Sequence, residues 1–300
     1  MRNTIFNLNE DQLKILVTGA NGQLGHCLSD LAETTDWNWI FTTRQHFDLS
    51  NSSDVNTFIK ENKPDIIVNT AAYTQVDQAE KESEFAFNVN QQGVENLIKA
   101  IEGSLTRIIH ISTDYVFEGQ GSNPYGETDP VDPQSVYGLS KAAGEKALLD
   151  KISDRSYILR TSWLYSEYGH NFVKTMMRLG SEREEINVVN DQMGMPTYAG
   201  DLAHGIIRII ENIESNNAPS GIYHFANKNI TSWFHFATEI MKLAGLDCVV
   251  HPISTSQFPT LAKRPVFSAL NTNKFESNFN FVIRNWEDAL QDCIDRINIL

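Results

Sequence analysis

The sequence predicts an α/β protein built on a doubly wound parallel sheet, with a smaller subdomain formed mainly by the C-terminal half. Short β-rich runs alternate with helical segments through the first half, and such strand–helix–strand repetition is typical of this fold class. The runs are continuously apolar instead of alternating, which indicates strands buried on both faces. We therefore predict one domain over residues 13–165 and a second mainly over 166–300, with some segments returning to the first.

The elements of the first half follow in order from their residues. The predicted strands are KILVTG (14–19), WNWIFTTR (37–44), DIIVNTAA (65–72), TRIIHIST (106–113) and SYILRTSWLY (156–165). Between them we predict helices over QLGHCLSDLAE, SSDVNTFIKENK, SEFAFNVNQQGVENLIKAIEG and the segment that carries Tyr137 and Lys141. The second of these helices opens on serine caps and ends before Pro64, as helix boundaries commonly do.

The second half is less regular. We predict helices over NFVKTMMRLGS, DLAHGIIRIIENI, NWEDALQDCIDRINI and SWFHFATEIMKLAGL, the last with Ser232 near its start, and a strand over GIYHFAN. The segments DQMGMPTYAG and STSQFPTLAKRPVFSALN are long and polar-aromatic. Long loops in a compact protein are often binding loops, so we expect these two to contribute to a ligand site.

Composition excludes several classes of function. The 300-residue chain has 41% hydrophobic residues, enough for a substantial core, and its 24 basic and 38 acidic residues give a formal charge of −14. This charge argues against nucleic acid or an anionic membrane as the main partner. Cys27, Cys248 and Cys293 are widely spaced and indicate neither a disulfide framework nor a zinc site. The first 13 residues lack the apolar run of a signal peptide, so we expect a soluble, cytoplasmic protein.

A glycine turn follows the first predicted strand. Gly19, Gly22 and Gly25 lie between this strand and the next helix, where glycine permits a tight turn and close approach of the backbone to a pyrophosphate. The N-terminus of the helix then offers free N–H groups to that anion. An ordinary strand–turn–helix connection has the same pattern, but its place in an alternating chain favours a dinucleotide site. The G-x-x-G-x-x-G spacing favours the short-chain dehydrogenase/reductase type of Rossmann fold.

The end of the second strand bears on the choice of cofactor. This position normally carries an acid that binds the adenosine ribose, but here it carries Arg44, which can pair with a 2′-phosphate. Asp48 lies further on, where the adenine would be. The sequence therefore predicts NADPH as the cofactor without excluding NADH, and a solvated charge at the strand end is the alternative for Arg44.

Tyr137 precedes Lys141 by four residues, after a strand that ends with Ser112 and Thr113. Hydride delivery to a ketone leaves negative charge on oxygen, so an acid must donate a proton there. An ammonium one helical turn away favours the phenolate and lowers the pKa of the phenol. Strand alternation allows only one of the two hydroxyls to assist and does not say which. Spacing alone also fits a pair on a helix surface.

Several motifs together resemble the dTDP-4-dehydrorhamnose reductases, a family of extended short-chain dehydrogenases/reductases. The resemblance runs over nearly the whole chain from Lys14 and rests on GANGQLG, ISTDYVFEG, YGLSKAAGEKAL, LRTSWLY, VVNDQMGMPTYAGDLA and RPVFSALN. It implies a Rossmann-type domain with a C-terminal substrate-binding subdomain. It also implies NAD(P)H-dependent reduction of the 4-keto group of dTDP-4-dehydro-L-rhamnose to dTDP-L-rhamnose, a precursor of surface polysaccharide.

The resemblance also implies roles for individual residues. Tyr137 would be the proton donor and Lys141 its modulator and a ribose contact, and Thr113 is selected over Ser112 as the third catalytic residue. The residues implied for the substrate are Thr113, Asp114, Trp163 and Arg264. Those implied for the cofactor are Gly22, Gln23 and Leu24 at the pyrophosphate, Asp48 and Leu49 near the adenine, Ala72, Tyr73 and Thr74 at the ribose and phosphates, and Ile111 near the nicotinamide. Trp163 and Ile111 also fit a packing role.

The chain departs from the family in one respect and leaves other functions open. Some members bind Mg²⁺ at a dimer interface through an acid just after the glycine turn, whereas this segment carries His26 and Cys27. We therefore predict no metal site, and a monomer or a homodimer that no metal bridges. A regulatory subunit of methionine adenosyltransferase, which keeps this fold and binds NADP, is the first alternative. Another nucleotide-sugar ketoreductase or epimerase is the second.

Overall fold

The structure, a computed structural model, describes residues 12–299. Residues 1–11 and Leu300 lie outside the described range, so the expectation that the N-terminal segment is not a signal peptide falls almost entirely outside it. No helix between residues 12 and 299 is long and apolar enough to cross a membrane.

The strands are β1 (Lys14–Thr18), β2 (Asn38–Thr42), β3 (Ile66–Asn69), β4 (Arg107–Thr113), β5 (Ser156–Thr161), β6 (Leu164–Tyr165), β7 (Glu185–Val189), β8 (Met193–Gly194), β9 (Thr197–Tyr198), β10 (Gly221–His224), β11 (Thr231–Ser232) and β12 (Val249–Ile253). The α-helices are α1 (Gln23–Ala32), α2 (Ser52–Asn62), α3 (Val76–Ala79), α4 (Ser83–Phe87), α5 (Gly93–Ala100), α6 (Val136–Ile152), α7 (Phe172–Glu182), α8 (Ala199–Glu214), α9 (Trp233–Leu243), α10 (Asn273–Phe279) and α11 (Trp286–Ile299). A π-helical turn spans Asn88–Gln92, and short 3₁₀ helices span Asp114–Val116, Ser153–Arg155 and Thr255–Gln257.

The central sheet has six strands in the order β2-β1-β3-β4-β5-β10, and every neighbouring pair is parallel. Helices cover both of its faces. Ile15 and Val17 of β1 face a core shared with α1 and α8, whereas Leu16 faces a core shared with α2, α5 and α6. This burial on both sides is the reason that the strand is continuously apolar. The predicted doubly wound, Rossmann-type fold is confirmed.

The C-terminal half builds a second core and also returns to the sheet. Residues of α7, α9 and α11 form an apolar cluster around the parallel pair of β7 and β12. In contrast, α8 and α10 pack into the core of the central sheet, and β10 pairs with β5 as its sixth strand. The domain boundary near residue 165 stays a prediction, which the separate second core supports.

Several elements differ from the sequence prediction, among them α3 and α10, which were not predicted. The helix expected over residues 83–103 is interrupted by the π-helical turn, and Asn90 in that turn directs its side chain to the backbone of Tyr73 and to Ser140. The strand predicted over residues 156–165 ends at Thr161, and its last two residues form β6, which pairs with β9. The strands β8 and β11 were missing from the prediction because two residues have no periodicity, and the five-residue strands β7 and β12 were missing as well. Ser232 does begin a helix as expected, since its side chain accepts a hydrogen bond from His235 N–H and caps α9.

Candidate active site

The glycine turn connects β1 to α1 at the carboxyl edge of the sheet. Gly19 has a φ of 71°, and a Cβ there would lie 2.8 Å from the backbone of Ala71. A Cβ at Gly25 would lie 2.6 Å from the carbonyl oxygens of Gly19 and Ala20. Both positions therefore require glycine. No side chain caps the N-terminus of α1, and its first turn contains no acid, so its N–H groups and its positive dipole end are free for an anion.

An elongated cavity of about 470 Å³ opens beside this turn. It lies at the carboxyl ends of the neighbouring strands β1 and β3, where the chain continues from β1 to β2 on one side of the sheet and from β3 to β4 on the other, which is the usual ligand position in such sheets. The cavity brings together a large part of the predicted cofactor residues: Gly19, Gly22, Arg44, Asp48, Leu49, Ala72, Tyr73 and Thr74. Phe47, Thr70 and Phe85 also line it and were not singled out from the sequence.

Other predicted cofactor residues do not direct their side chains into this cavity. Gln23 accepts hydrogen bonds from Ser166 Oγ at 3.1 Å and from Asn171 Nδ2 at 2.9 Å. Leu24 is buried in the core between the sheet and α8. At the first turn of α1, these two residues can therefore offer a pyrophosphate only their backbone N–H groups.

Arg44 lines the part of the cavity that is formed by the segment after β2. Its guanidinium is 5.0 Å from the centre of the Phe85 ring, and its Nε is 3.7 Å from Asp48 Oδ2. Burial opposes ionisation of Asp48, but hydrogen bonds from Ser50 and the charge of Arg44 prevail and hold its pKa below the ordinary value. The Arg44 side chain is 65% exposed, so it remains available to a ligand phosphate.

Asn90 joins the cofactor loop to the helix that carries Tyr137. Its Oδ1 accepts a hydrogen bond from Tyr73 N–H at 2.8 Å, and its Nδ2 donates to Tyr73 O at 3.0 Å and to Ser140 Oγ at 2.9 Å. All polar atoms of this buried amide are thereby used. The sequence analysis did not single out Asn90. Its position in a π-helical turn is a signal of function, because such turns are frequent at functional sites.

Tyr137 lies in the first turn of α6, which Ser135 caps through a bond from Gly138 N–H. The phenol is 9% exposed. Burial raises the pKa of Tyr137 above its ordinary value, and a hydrogen bond with Thr113 opposes this shift. The sequence suggested that Lys141 would lower this pKa, but burial removes the water that stabilises a phenolate and has the larger effect.

The structure separates the two hydroxyls that the sequence left as alternatives. Ser112 faces α6 and donates to Glu145 Oε1 at 2.5 Å, two helical turns after Tyr137. Thr113 lies against Tyr137, accepts from Tyr115 N–H at 3.2 Å and donates to Asp114 Oδ1 at 3.0 Å. Burial raises the pKa of Asp114 to about 6, and hydrogen bonds from Ser268 and Thr113 oppose the shift.

Lys141 lies one turn after Tyr137 and is buried beneath the end of β4. Its Nζ donates to Ile111 O at 2.6 Å and lies 3.2 Å from His110 Nε2. Burial lowers the pKa of Lys141 to about 8, and the negative charge of Glu145 opposes that shift. Ile111 therefore contributes its carbonyl to this site, while its side chain packs against the core of the sheet.

Trp163 and Arg264 approach the same end of the sheet from the C-terminal half. Trp163 has a φ of 47° and stacks on Trp233 with ring centres 3.5 Å apart. Arg264 donates to Tyr115 OH at 3.1 Å and forms an ion pair with Asp77 of α3. The arginine is thus held beside Tyr115, next to the residues that surround Tyr137.

The glycine turn, the cavity and the pair of Tyr137 and Lys141 on one helix define an extended short-chain dehydrogenase/reductase of Rossmann type. Within that class, the chain belongs to the RmlD substrate binding domain family, whose model matches residues 13–299. It is 43% identical over 287 residues to the dTDP-4-dehydrorhamnose reductase of Aggregatibacter actinomycetemcomitans, covering 93% of this chain and 97% of that protein.

Solved structures agree with this assignment. A dTDP-4-dehydrorhamnose reductase from Clostridium acetobutylicum superposes with a TM-score of 0.90 at 40% identity, covering 95% of this chain and 99% of that one. The enzyme of the same name from Bacillus anthracis, in complex with NADP, gives a TM-score of 0.88 at 39% identity with the same coverage. The resemblance predicted from the sequence is confirmed.

Proposed function

We propose that the protein reduces the 4-keto group of dTDP-4-dehydro-L-rhamnose with NADPH, giving dTDP-L-rhamnose. The observation that carries this proposal is the buried phenol of Tyr137, which lies against the Thr113 hydroxyl beside a cavity with a dinucleotide-type glycine turn. The names of the relatives supply the substrate, and the NADP complex of the Bacillus anthracis relative supplies the cofactor.

The residues of the cavity fit a nicotinamide dinucleotide. Any side chain at Gly19 or Gly25 would collide with backbone, and the uncapped N-terminus of α1 suits a pyrophosphate. Asp48 and Leu49 would contact the adenine, and residues 72–74 would contact the ribose and phosphates. When bound, the reduced cofactor supplies the hydride.

Tyr137 donates its proton to the carbonyl oxygen in this proposal. Because burial holds the phenol in its neutral form, the proton is present when the substrate arrives. Thr113 orients the phenol through its hydroxyl, and it would hold the carbonyl by exchanging its hydrogen bond to Asp114, while Lys141 supplies positive charge near the developing negative charge. The ammonium also contacts the cofactor ribose.

The substrate side is formed by Asp114, Trp163 and Arg264. Trp163, which is held by its stacking on Trp233, would pack against the sugar. Arg264 would approach the diphosphate, for which it must exchange its ion pair with Asp77. These roles rest on the family resemblance and on their common position at the carboxyl edge of the sheet.

The test is a stopped assay of NADPH oxidation with purified protein and the dTDP-4-keto sugar. We expect oxidation that depends on the sugar and yields a 4-hydroxyl product. Binding of NADPH without oxidation by this or related keto sugars would favour the regulatory alternative. Oxidation with another nucleotide keto sugar alone would favour a different ketoreductase.

A substitution at Arg44 tests the cofactor preference. Arg44→Ala should weaken NADPH binding by about 1–3 kcal/mol, the range of a charge-assisted hydrogen bond to the 2′-phosphate, and leave NADH nearly unaffected. Fluorescence titration with both cofactors measures the difference. Arg178→Ala, which removes an exposed arginine of α7 paired with Glu182, is the control. An equal loss for NADPH and NADH would refute the assignment of Arg44.

Treatment with EDTA tests the prediction that no metal takes part. Within residues 12–299 no group of three or more histidine, cysteine or acidic side chains is arranged to hold a metal ion. Burial raises the pKa of Cys27, and metal ligation requires the thiolate. We expect the same turnover before and after dialysis against EDTA. Activity that EDTA abolishes and Mg²⁺ restores would contradict this expectation.

A further inference from the structure

Two polar pairs connect β4 to α6 beneath the site. His110 and Ser112 lie on one face of β4, and Lys141 and Glu145 lie opposite them on α6. His110 Nε2 is 3.2 Å from Lys141 Nζ, and Ser112 Oγ is 2.5 Å from Glu145 Oε1. Two residues of a strand rise ~6.7 Å and four residues of a helix rise ~6 Å, so the two pairs stay in register.

The first of these pairs continues across the sheet. His110 Nδ1 lies 2.9 Å from Asn69 Nδ2 on β3, and Asn69 Oδ1 lies 2.7 Å from Thr18 Oγ1 on β1. These side chains are 0–2% exposed, as is Lys141. A buried chain of hydrogen bonds therefore links Lys141 to the last residue before the glycine turn, and such chains are retained only when every member is satisfied.

The protons of this chain admit two arrangements. If Asn69 donates to His110 Nδ1, the single proton of the neutral ring is on Nε2 and faces Lys141, which must then be the neutral amine. If the amide presents its oxygen, Nδ1–H donates to Asn69 and Nε2 accepts from the Lys141 ammonium. Burial and the charge of Lys141 both keep the pKa of His110 well below its ordinary value, so the ring stays neutral in either case.

We propose that His110, held by Asn69 and Thr18, is the positioning residue that fixes the Lys141 ammonium at the end of β4. The proposal adopts the second arrangement, in which the Asn69 amide turns its oxygen to His110 Nδ1; one ammonium proton then goes to Ile111 O and one to His110 Nε2, which leaves the third for the cofactor and the phenol. The inference rests on the proposed function, in which Lys141 acts as an ammonium. In this inference, His110 of β4 orients the third ammonium proton of Lys141 toward the cofactor and the phenol.

The charged surroundings of Lys141 define the pH test. The ionisable groups that face it are His110 on β4 and, on its own helix, Tyr137 one turn before and Glu145 one turn after. Glu145 is paired with Arg160 of β5. Because the pKa of Lys141 is lowered to about 8, activity that requires the ammonium should decline as the pH rises through that value.

The test compares His110→Phe with His110→Gln in the full chain, by pH profiles of kcat and by NADPH titration. His110→Phe removes the acceptor for the Lys141 ammonium. The alkaline limb of the kcat profile, where activity declines as the pH rises, should therefore move to a lower pH by about one unit. The kcat of His110→Phe should fall by about one to two orders of magnitude, as for a misplaced catalytic group. NADPH binding should change less. His110→Gln keeps an amide oxygen for Lys141 and should restore the wild-type limb.

A second buried histidine provides the matched control. His224 of β10 is 0% exposed, has its pKa lowered by burial to about 3 and bonds to Tyr125 O. His224→Phe should cost stability without moving the alkaline limb. If His110→Phe does not fold, Asn69→Leu, which deprives the ring of its partner, replaces it.

Three outcomes would overturn the proposal or its basis. An unchanged alkaline limb in His110→Phe, with Lys141→Met inactive, would overturn the positioning role alone. An equal shift of the limb in His110→Phe and His224→Phe would also overturn it, because the effect would then be structural. Full activity of Lys141→Met would instead overturn the proposed function.

Discussion

Tyr137→Phe should reduce the rate of keto-sugar reduction by about 10²–10⁴-fold, the usual contribution of general acid catalysis. The substitution removes one hydroxyl from a ring that is 9% exposed and keeps the packing of α6 intact. NADPH affinity should therefore stay within a few-fold of the wild type. Steady-state kinetics with the dTDP-4-keto sugar, together with fluorescence titration of NADPH, measure the two effects separately.

The matched control is Tyr157→Phe on β5. This phenol donates to Ala218 O at 2.9 Å, so its removal has a modest structural cost and should leave turnover unchanged. Lys141→Met should reduce both turnover and NADPH affinity, because in the proposed mechanism the ammonium serves the phenol and the ribose. Normal turnover by Tyr137→Phe would mean that Tyr137 and Lys141 are only neighbours on a helix.

Glu145→Gln should have the largest effect on stability, lowering the free energy of unfolding by about 3–5 kcal/mol, as expected when one partner of a buried ion pair is lost. Arg160 is 1% exposed and donates to Glu145 from Nε at 3.0 Å and from Nη2 at 2.7 Å. In Glu145→Gln, the neutral amide leaves the buried Arg160 guanidinium without a negative charge to pair with. Urea denaturation of wild type and variant measures the change.

The same helix supplies an exposed acid for comparison. Asp150 accepts from Lys146 Nζ at 2.7 Å, with both side chains more than half exposed. Asp150→Asn should change the free energy of unfolding by less than about 1 kcal/mol, since exposed ion pairs contribute little. A similar loss in both variants would show that the buried pair has no special role in attaching α6 to β4 and β5.

The fold of the first half was predictable because its strands combine apolar continuity with a glycine turn. The strands predicted over residues 106–113 and 14–19 each extend only one residue beyond the observed β4 and β1. The C-terminal half was less predictable because two of its three small sheets contain only two-residue strands, such as β8 and β11, and because β7 and β12 of the third carry polar and exposed residues instead of an apolar run. Pairs of two-residue strands are set by tertiary packing and leave no periodic signal.

The sequence predicts the candidate site residues that stand at characteristic spacings, but it does not predict properties that depend on burial. Tyr137, Lys141 and the glycines stand at fixed intervals and resemble a known pattern. The direction of the pKa shift of Tyr137 depends on burial, which the spacing does not contain. His110, Asn69 and Arg160 had a signal of another kind, since each is a polar residue inside an otherwise apolar strand, where it must find a buried partner.

Because β10 pairs with β5, the central sheet can be completed only after much of the C-terminal half has been synthesised. When the ribosome has released the chain up to Thr161, β5 presents an open edge whose residues are all buried in the finished protein. That edge closes only after Gly221–His224 has emerged, and until then it can pair with another nascent chain. A fragment that stops at residue 165 would keep this edge and would also lack α8 and α10, which cover one face of the sheet, so we expect it to aggregate instead of folding on its own.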